Sequence, residues 1–116
     1  QDKVSEEKKR PLKKKKKEKV TEKVNYSVDL EYYIDKENEL YADEIERNVR
    51  SMVAEWVSWQ QGKLGRDINT DELIYRLKKI GVKRVNITSP VFTKIKEHEV
   101  AIMESDAQII NKGTEA

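Results

Sequence analysis

Residues 56–80, WVSWQQGKLGRDINTDELIYRLKKI, decide how the chain folds. They read as the end of one amphipathic helix, a glycine-bracketed joint and a second short helix. Upstream, Ile45, Val49, Met52, Val53, Trp56 and Val57 recur at the spacing of a single helical face, which predicts a helix over residues 40–61. Asp43, Glu44 and Glu46 stand near its start, where negative charge suits the helix dipole. Gly62 is expected to end that helix in a left-handed cap, since only glycine adopts that conformation without steric cost. Leu64 and Ile68 are expected to plug under the bend. Asn69 with Glu72 three residues on forms a capping-box pattern, with Asp67 and Thr70 as alternative caps. Leu73, Ile74, Leu77 and Ile80 then share one face of a helix that stops at Gly81, with Lys78 and Lys79 in its last turn.

Strand-like segments flank the helices. In Asn25–Asp35 (NYSVDLEYYID), Tyr26, Val28, Leu30, Tyr32 and Ile34 alternate with polar residues, and a period of two marks a half-buried strand. Lys36–Glu39 reads as a polar turn. After Gly81, residues 82–88 (VKRVNIT) form a second strand that Ser89-Pro90 breaks. Val91–Ile95 is short and apolar, Lys96–Glu99 looks like a hairpin turn, and residues 100–104 (VAIME) return as the last strand. The expected fold is α+β in the order β-α-α-β-β: a small, mainly antiparallel three-stranded sheet with both helices on one face.

At 116 residues the prior is one domain. Charged residues make up 40% and hydrophobic residues 36%, so part of the chain must be solvated. Residues 1–23 carry eleven Lys/Arg against five Asp/Glu, and the remainder thirteen against seventeen, so a basic arm precedes a mildly acidic body. The arm includes five consecutive lysines at 13–17 but no aromatic residue for base stacking, which argues against sequence-specific nucleic-acid recognition. It reads as a linker, part of which can add an edge strand. Residues 24–104 form the expected domain, and 105–116 a polar tail that either covers a sheet edge or frays. The chain opens on Gln1 rather than Met, which points to a fragment of a longer protein or a processed end.

Function classes narrow by absence of chemistry. With no cysteine, disulfides and thiolate metal sites are excluded. No apolar run approaches the roughly 18–20 residues that span a bilayer, and no membrane partner is expected. The one histidine, His98, lies between Glu97 and Glu99, but adjacent residues point apart and no second ligand completes a site. No nucleophile stands with a base, so no catalytic residue, metal or cofactor is assigned and an enzyme is not expected. Trp56 falls on the apolar stripe and reads as core. Trp59 is rotated off it and is the better candidate for a contact with another molecule.

Gly62-Lys63-Leu64-Gly65, followed by Arg66, resembles the G-x-x-G loop of KH domains, which clamps a nucleic-acid backbone. Against it stand Gln60-Gln61 where a KH helix is normally apolar, a preceding helix of about five turns, and an acidic body. A longer string is more specific. Leu64–Asn69 (LGRDIN), the Asp71–Leu77 helix (D-E-L-I-x-x-L), then Gly-Val-x-Arg-Val-x-Ile-Thr-x-Pro-Val-Phe over 81–92 and Glu-x-x-Val-Ala over 97–101 resemble the C-terminal region of baseplate J-like proteins. Arg10-Pro11-Leu12 and Tyr26–Ile34 resemble the same family, so the similarity runs over roughly residues 10–104 in the family's order. Where that family usually continues with a Thr-Asp-x-Val type strand, this chain has Lys13–Lys17.

The resemblance implies a wedge subunit of a contractile phage tail or phage-derived particle, assembled in the bacterial host cytoplasm into the tail baseplate. Its implied partners are other baseplate wedge proteins, in a homo- or hetero-oligomeric assembly, and no catalytic residues come with it. The candidate interface residues are Trp59, Leu64, Arg66 and Phe92. The alternative, a KH-like nucleic-acid-binding module, uses Gly62, Lys63, Leu64, Gly65 and Arg66.

Overall fold

The computed structural model describes residues 21–116; the lysine run and Arg10-Pro11-Leu12 lie outside the described residues. The elements in order are β1 (Glu22–Tyr26), β2 (Asp29–Asp35), a 3-10 turn (Lys36–Tyr41), α1 (Ala42–Gln61), α2 (Thr70–Lys79), β3 (Val82–Ser89), β4 (Glu99–Met103) and β5 (Gln108–Glu115). The class is α+β. β2 is the middle of a three-stranded sheet ordered β3-β2-β5, while β1 and β4 form a separate two-stranded sheet. β2 runs antiparallel to β3 and parallel to β5, so the sheet is mixed rather than mainly antiparallel. β1 and β4 also pair in parallel.

The alternating run over residues 25–35 is therefore two strands, not one. Tyr26, Val28, Leu30, Tyr32 and Ile34 are all buried, so the side-chain alternation passes unbroken through the point where the backbone changes partner. Tyr26 sits opposite Met103, whereas Leu30 sits opposite Ile87. The returning chain follows the same switch: Glu104 N donates to Tyr26 O at 2.9 Å and Gln108 N to Val28 O at 2.8 Å. Residues 108–115, expected as a tail that covers a sheet edge or frays, pair as β5 along the second edge of β2. The Lys96–Glu99 turn is present, closed by Glu99 N donating to Lys96 O at 2.9 Å. It makes no hairpin, because β4 pairs with β1 and Thr93 bridges to Ile68.

One core unites these parts. α1 contributes Ile45, Val49, Val53 and Trp56, and α2 contributes Leu73 and Leu77, all buried in one cluster with Leu30, Tyr32 and Ile34 of β2. Each such large side chain contributes about 1.5–3 kcal/mol on leaving water. Lys36–Glu39 belong to the 3-10 turn, which Asp35 caps by accepting from Glu37 N at 3.2 Å. α2 ends at Gly81, whose φ is +108°; a Cβ there would lie 2.9 Å from Ile45 Cδ1, so only glycine lets α2 close onto the start of α1.

The opposite face of the β3-β2-β5 sheet is polar. Arg84 on β3 lies 3.8 Å from the ring centroid of Tyr33 on β2 and reaches Glu115 on β5 with bonds of 3.0 and 2.9 Å. One guanidinium thus ties all three strands, and its hydrogen bonds hold the Glu115 carboxyl below its ordinary range.

Tyr26 packs edge-on against Trp56, with ring centroids 5.7 Å apart. Its hydroxyl is buried without a hydrogen-bond partner among the described residues. Burial raises its pKa from 10.0 to about 12. Burial, followed by the Glu46 charge, also raises that of Tyr32, with Arg50 opposing. Because the folded pKa exceeds the unfolded one, this stability term is complete below pH 10.0 and is lost as pH rises toward about 12. Tyr26→Phe, which removes an unpartnered buried hydroxyl, is expected to raise stability by about 1 kcal/mol or more at neutral pH. Urea titrations from pH 7 to 12 should also show a shallower alkaline decline than the parent chain; equal declines, or a less stable variant, would refute this account.

Candidate functional site

The joint between the helices is held from beneath by one side chain. Gln60 is fully buried on α1, four residues past Trp56 along the apolar stripe. Its Oε1 accepts from Asn69 N at 2.8 Å and its Nε2 donates to Arg66 O at 3.3 Å, so it spans the mouth of the loop. Asn69 is the hub on the other side. Its carbonyl accepts from Trp56 Nε1 at 2.9 Å, and its Oδ1 accepts from Glu72 N at 3.1 Å, which makes it the cap of α2 among the three candidates. The reciprocal half of the capping box is absent: Glu72 instead pairs with Arg76 at 2.8 Å.

The glycines divide their tasks differently from the sequence expectation. Gly62 has φ −79° and ψ −3°, a right-handed cap whose amide donates to Trp59 O at 3.2 Å. The left-handed residue is Gly65, at φ +73°, because the reversal comes four residues after Gln61, the last residue of α1, rather than at the helix end. Its amide donates to Glu99 O at 2.8 Å, and a Cβ would approach Glu97 Cα to 3.0 Å. The loop therefore lies flat on the segment before β4. Ile68 and Thr93 extend that contact through paired backbone bonds of 2.8 and 3.1 Å, and Asp67 Oδ1 accepts from Ile95 N at 3.0 Å.

Of the expected plug residues, Ile68 is buried, but Leu64 is 49% exposed because the tight turn at Gly65 directs it outward. Trp59 is engaged within the chain. It is half-buried, with the Arg66 guanidinium 4.2 Å from its ring centroid and that of Arg76 at 5.5 Å. Arg66 Nη1 also donates to the Trp59 carbonyl. Phe92 stays half-exposed beside the Thr93 bridge, next to the still more exposed Val91. The four proposed contact residues thus split: Leu64 and Phe92 face solvent, whereas Trp59 and Arg66 brace each other.

For the nucleic-acid alternative, Lys63 and Leu64 are exposed, Gly65 N is occupied by Glu99 O, and Arg66 is held on Trp59. His98 Nε2 lies 3.2 Å from Glu22 Oε1, linking the turn to the start of β1. Among the described residues no group of three or more His, Cys, Asp or Glu could hold a metal ion, and no helix is long and apolar enough to cross a membrane. Two clefts of about 380 and 320 Å³ run along the α1–α2 surface and meet at Lys79 and Ile80, with Tyr41 and Tyr75 on their walls.

Asn69 caps α2 as its spacing to Glu72 predicts, whereas the bridging role of Gln60 is not among the sequence expectations. A polar side chain at the next core position of the stripe was the available signal for Gln60. Gln60→Leu keeps the volume but strands Asn69 N–H and Arg66 C=O, so it should cost about 1–3 kcal/mol. The exposed Gln61→Leu should stay within about 0.5 kcal/mol. Denaturant unfolding of both variants measures the difference, and equal stabilities would show that the clasp contributes nothing.

No protein-family model matches the chain, and no curated protein matches it.

Proposed function

We propose that the chain is an assembly domain of a contractile-tail baseplate subunit, contributing protein–protein contacts rather than chemistry. The observation that carries this reading is the ordered string of resemblances to baseplate J-like proteins, from Tyr26 to Ala101 within the described residues. What the string does in the fold supports it. Gly65, Arg66, Asp67, Ile68 and Asn69 each make a contact that shapes the clasp, so that segment is occupied in building a rigid body. Leu64, Val91 and Phe92, also in the string, are left exposed, as side chains that fill a partner's pockets must be. The place of action in this reading is the tail baseplate, and the partners are neighbouring wedge subunits.

The competing KH-like reading draws on the exposed Lys63 and Leu64 together with the lysine arm. The engaged Gly65 amide and Arg66 side chain weigh against it, because a backbone clamp needs such donors available to phosphate.

Mixing the purified chain with the wedge subunits encoded beside it should give a complex stable to size-exclusion chromatography. Leu64→Asp with Phe92→Asp should weaken that complex by about tenfold or more, while the melting temperature stays close to the parent's because both side chains are half-exposed. No complex with those subunits, combined with single-stranded RNA binding that falls steeply with salt and is lost on changing Lys63 and Leu64 to Asp, would replace the assembly reading with the nucleic-acid one.

A further inference from the structure

We propose that β3 is a pairing edge through which two copies of this chain join antiparallel, centred on Asn86, to make one continuous six-stranded sheet. The inference names a partner within the assembly role above and rests on that role for its purpose, though not for its chemistry.

A sheet edge exposes a row of backbone donors and acceptors, and proteins that do not use an edge usually blunt it with lysine, proline, bulges or short length. The other edges here are blunted. β5 carries Lys112, a register shift opposite Tyr32–Ile34, and Gly113 at φ +92°, whose amide is taken by Asn111 Oδ1 at 2.7 Å. β1 opens with Glu22 and Lys23, and the Glu99 carbonyl of β4 is occupied by Gly65 N. β3 differs. It carries Lys83 and a register shift near each end, but in between its register against β2 is unbroken from Arg84 to Ile87, and no described strand pairs with its outer side. Its charges lie at one end, Lys83 and Arg84, and Val85–Ser89 carries none.

That asymmetry is self-complementary. If two copies meet about a two-fold axis normal to the sheet, residues directly opposite must point to the same face, so the axis passes through a residue. Centred on Asn86, Val85 meets Ile87 of the second copy on the helix-covered side, extending an apolar surface on which both are half-buried. On the polar side Arg84 meets Thr88, while Lys83 meets Ser89 at the two ends of the helix-covered side. The two Arg84 residues then stand four positions apart along the ladder, about 13 Å at ~3.3 Å per residue, beyond the roughly 8–10 Å screening length of physiological salt. Centring on Val85 would set Lys83 against Ile87, and centring on Ile87 would run the ladder into Pro90. Neither matches the pattern as well.

Light scattering and sedimentation of the full chain alone, with no other baseplate protein present, should give a concentration-dependent species of twice 13.6 kDa. Asn86→Lys sets like charges opposite each other at the axis and should leave a monomer. The new lysine sits beside Glu31, which already accepts from Asn86 Nδ2 at 3.3 Å, so the monomer is expected to stay folded by circular dichroism. An equimolar mixture of Asn86→Lys and Asn86→Glu chains should recover the double mass. A parent chain that is monomeric at all concentrations, or a dimer that Asn86→Lys leaves intact, overturns β3 pairing. Neither result bears on whether the chain binds wedge subunits, which the complex-formation experiment reads separately.

Discussion

The carboxamide of Gln60 does what no apolar side chain at that position could. It satisfies a backbone donor at Asn69 and a backbone acceptor at Arg66 at once, in a place sealed from water. Because both lie on the loop that turns α1 into α2, the bonds fix where α2 begins. That in turn places Asn69 to receive Trp56 Nε1 and to cap α2. A neutral hydrogen bond contributes only about 0.5–1.5 kcal/mol net, but stranding either partner here would cost more than forming the bond gains. The buried network therefore selects one helix–helix geometry, and the apolar residues fill the space that this geometry defines.

From that geometry the rest of the body follows. The flat elbow presents Gly65 N to Glu99 O and Ile68 to Thr93, which carries the chain between β3 and β4 along the underside of the joint. β4 is thereby delivered beside β1 rather than beside Val91–Ile95. The Arg66–Trp59 stack closes the outer side of the same loop. A loop that looks open in the sequence is bonded on three sides.

Much of this was legible from residue order, where the governing physics is local. Both helices, the stripe from Ile45 to Trp56, the Asn69 cap and the strand after Gly81 depend on periodicity and capping chemistry that act within a few residues. The misreadings share a different origin. The break between Tyr26 and Asp29 is invisible because side-chain alternation reports which face is buried, not which strand is the partner. β5 has no fully buried side chain and is held largely by its backbone ladder, so it leaves little hydrophobic pattern. Trp59 departs from the helix stripe, yet it is covered by arginines from the loop and from α2. Gly62 and Gly65 are equivalent as letters, and only the path back to Glu99 tells which of them must turn left-handed.

The two parallel pairings bear on how such a chain reaches its native state. β1 with β4, and β2 with β5, join segments from opposite ends of the described chain, with both helices between them. Loop-closure entropy must be met in full before either ladder yields its first bond, whereas α1, the elbow and α2 are neighbours in sequence. Topology thus separates a locally nucleated helical pair from a sheet whose assembly is dominated by distant contacts. In a protein made on the ribosome, the central strand β2 emerges early and waits for both of its neighbours to be synthesised.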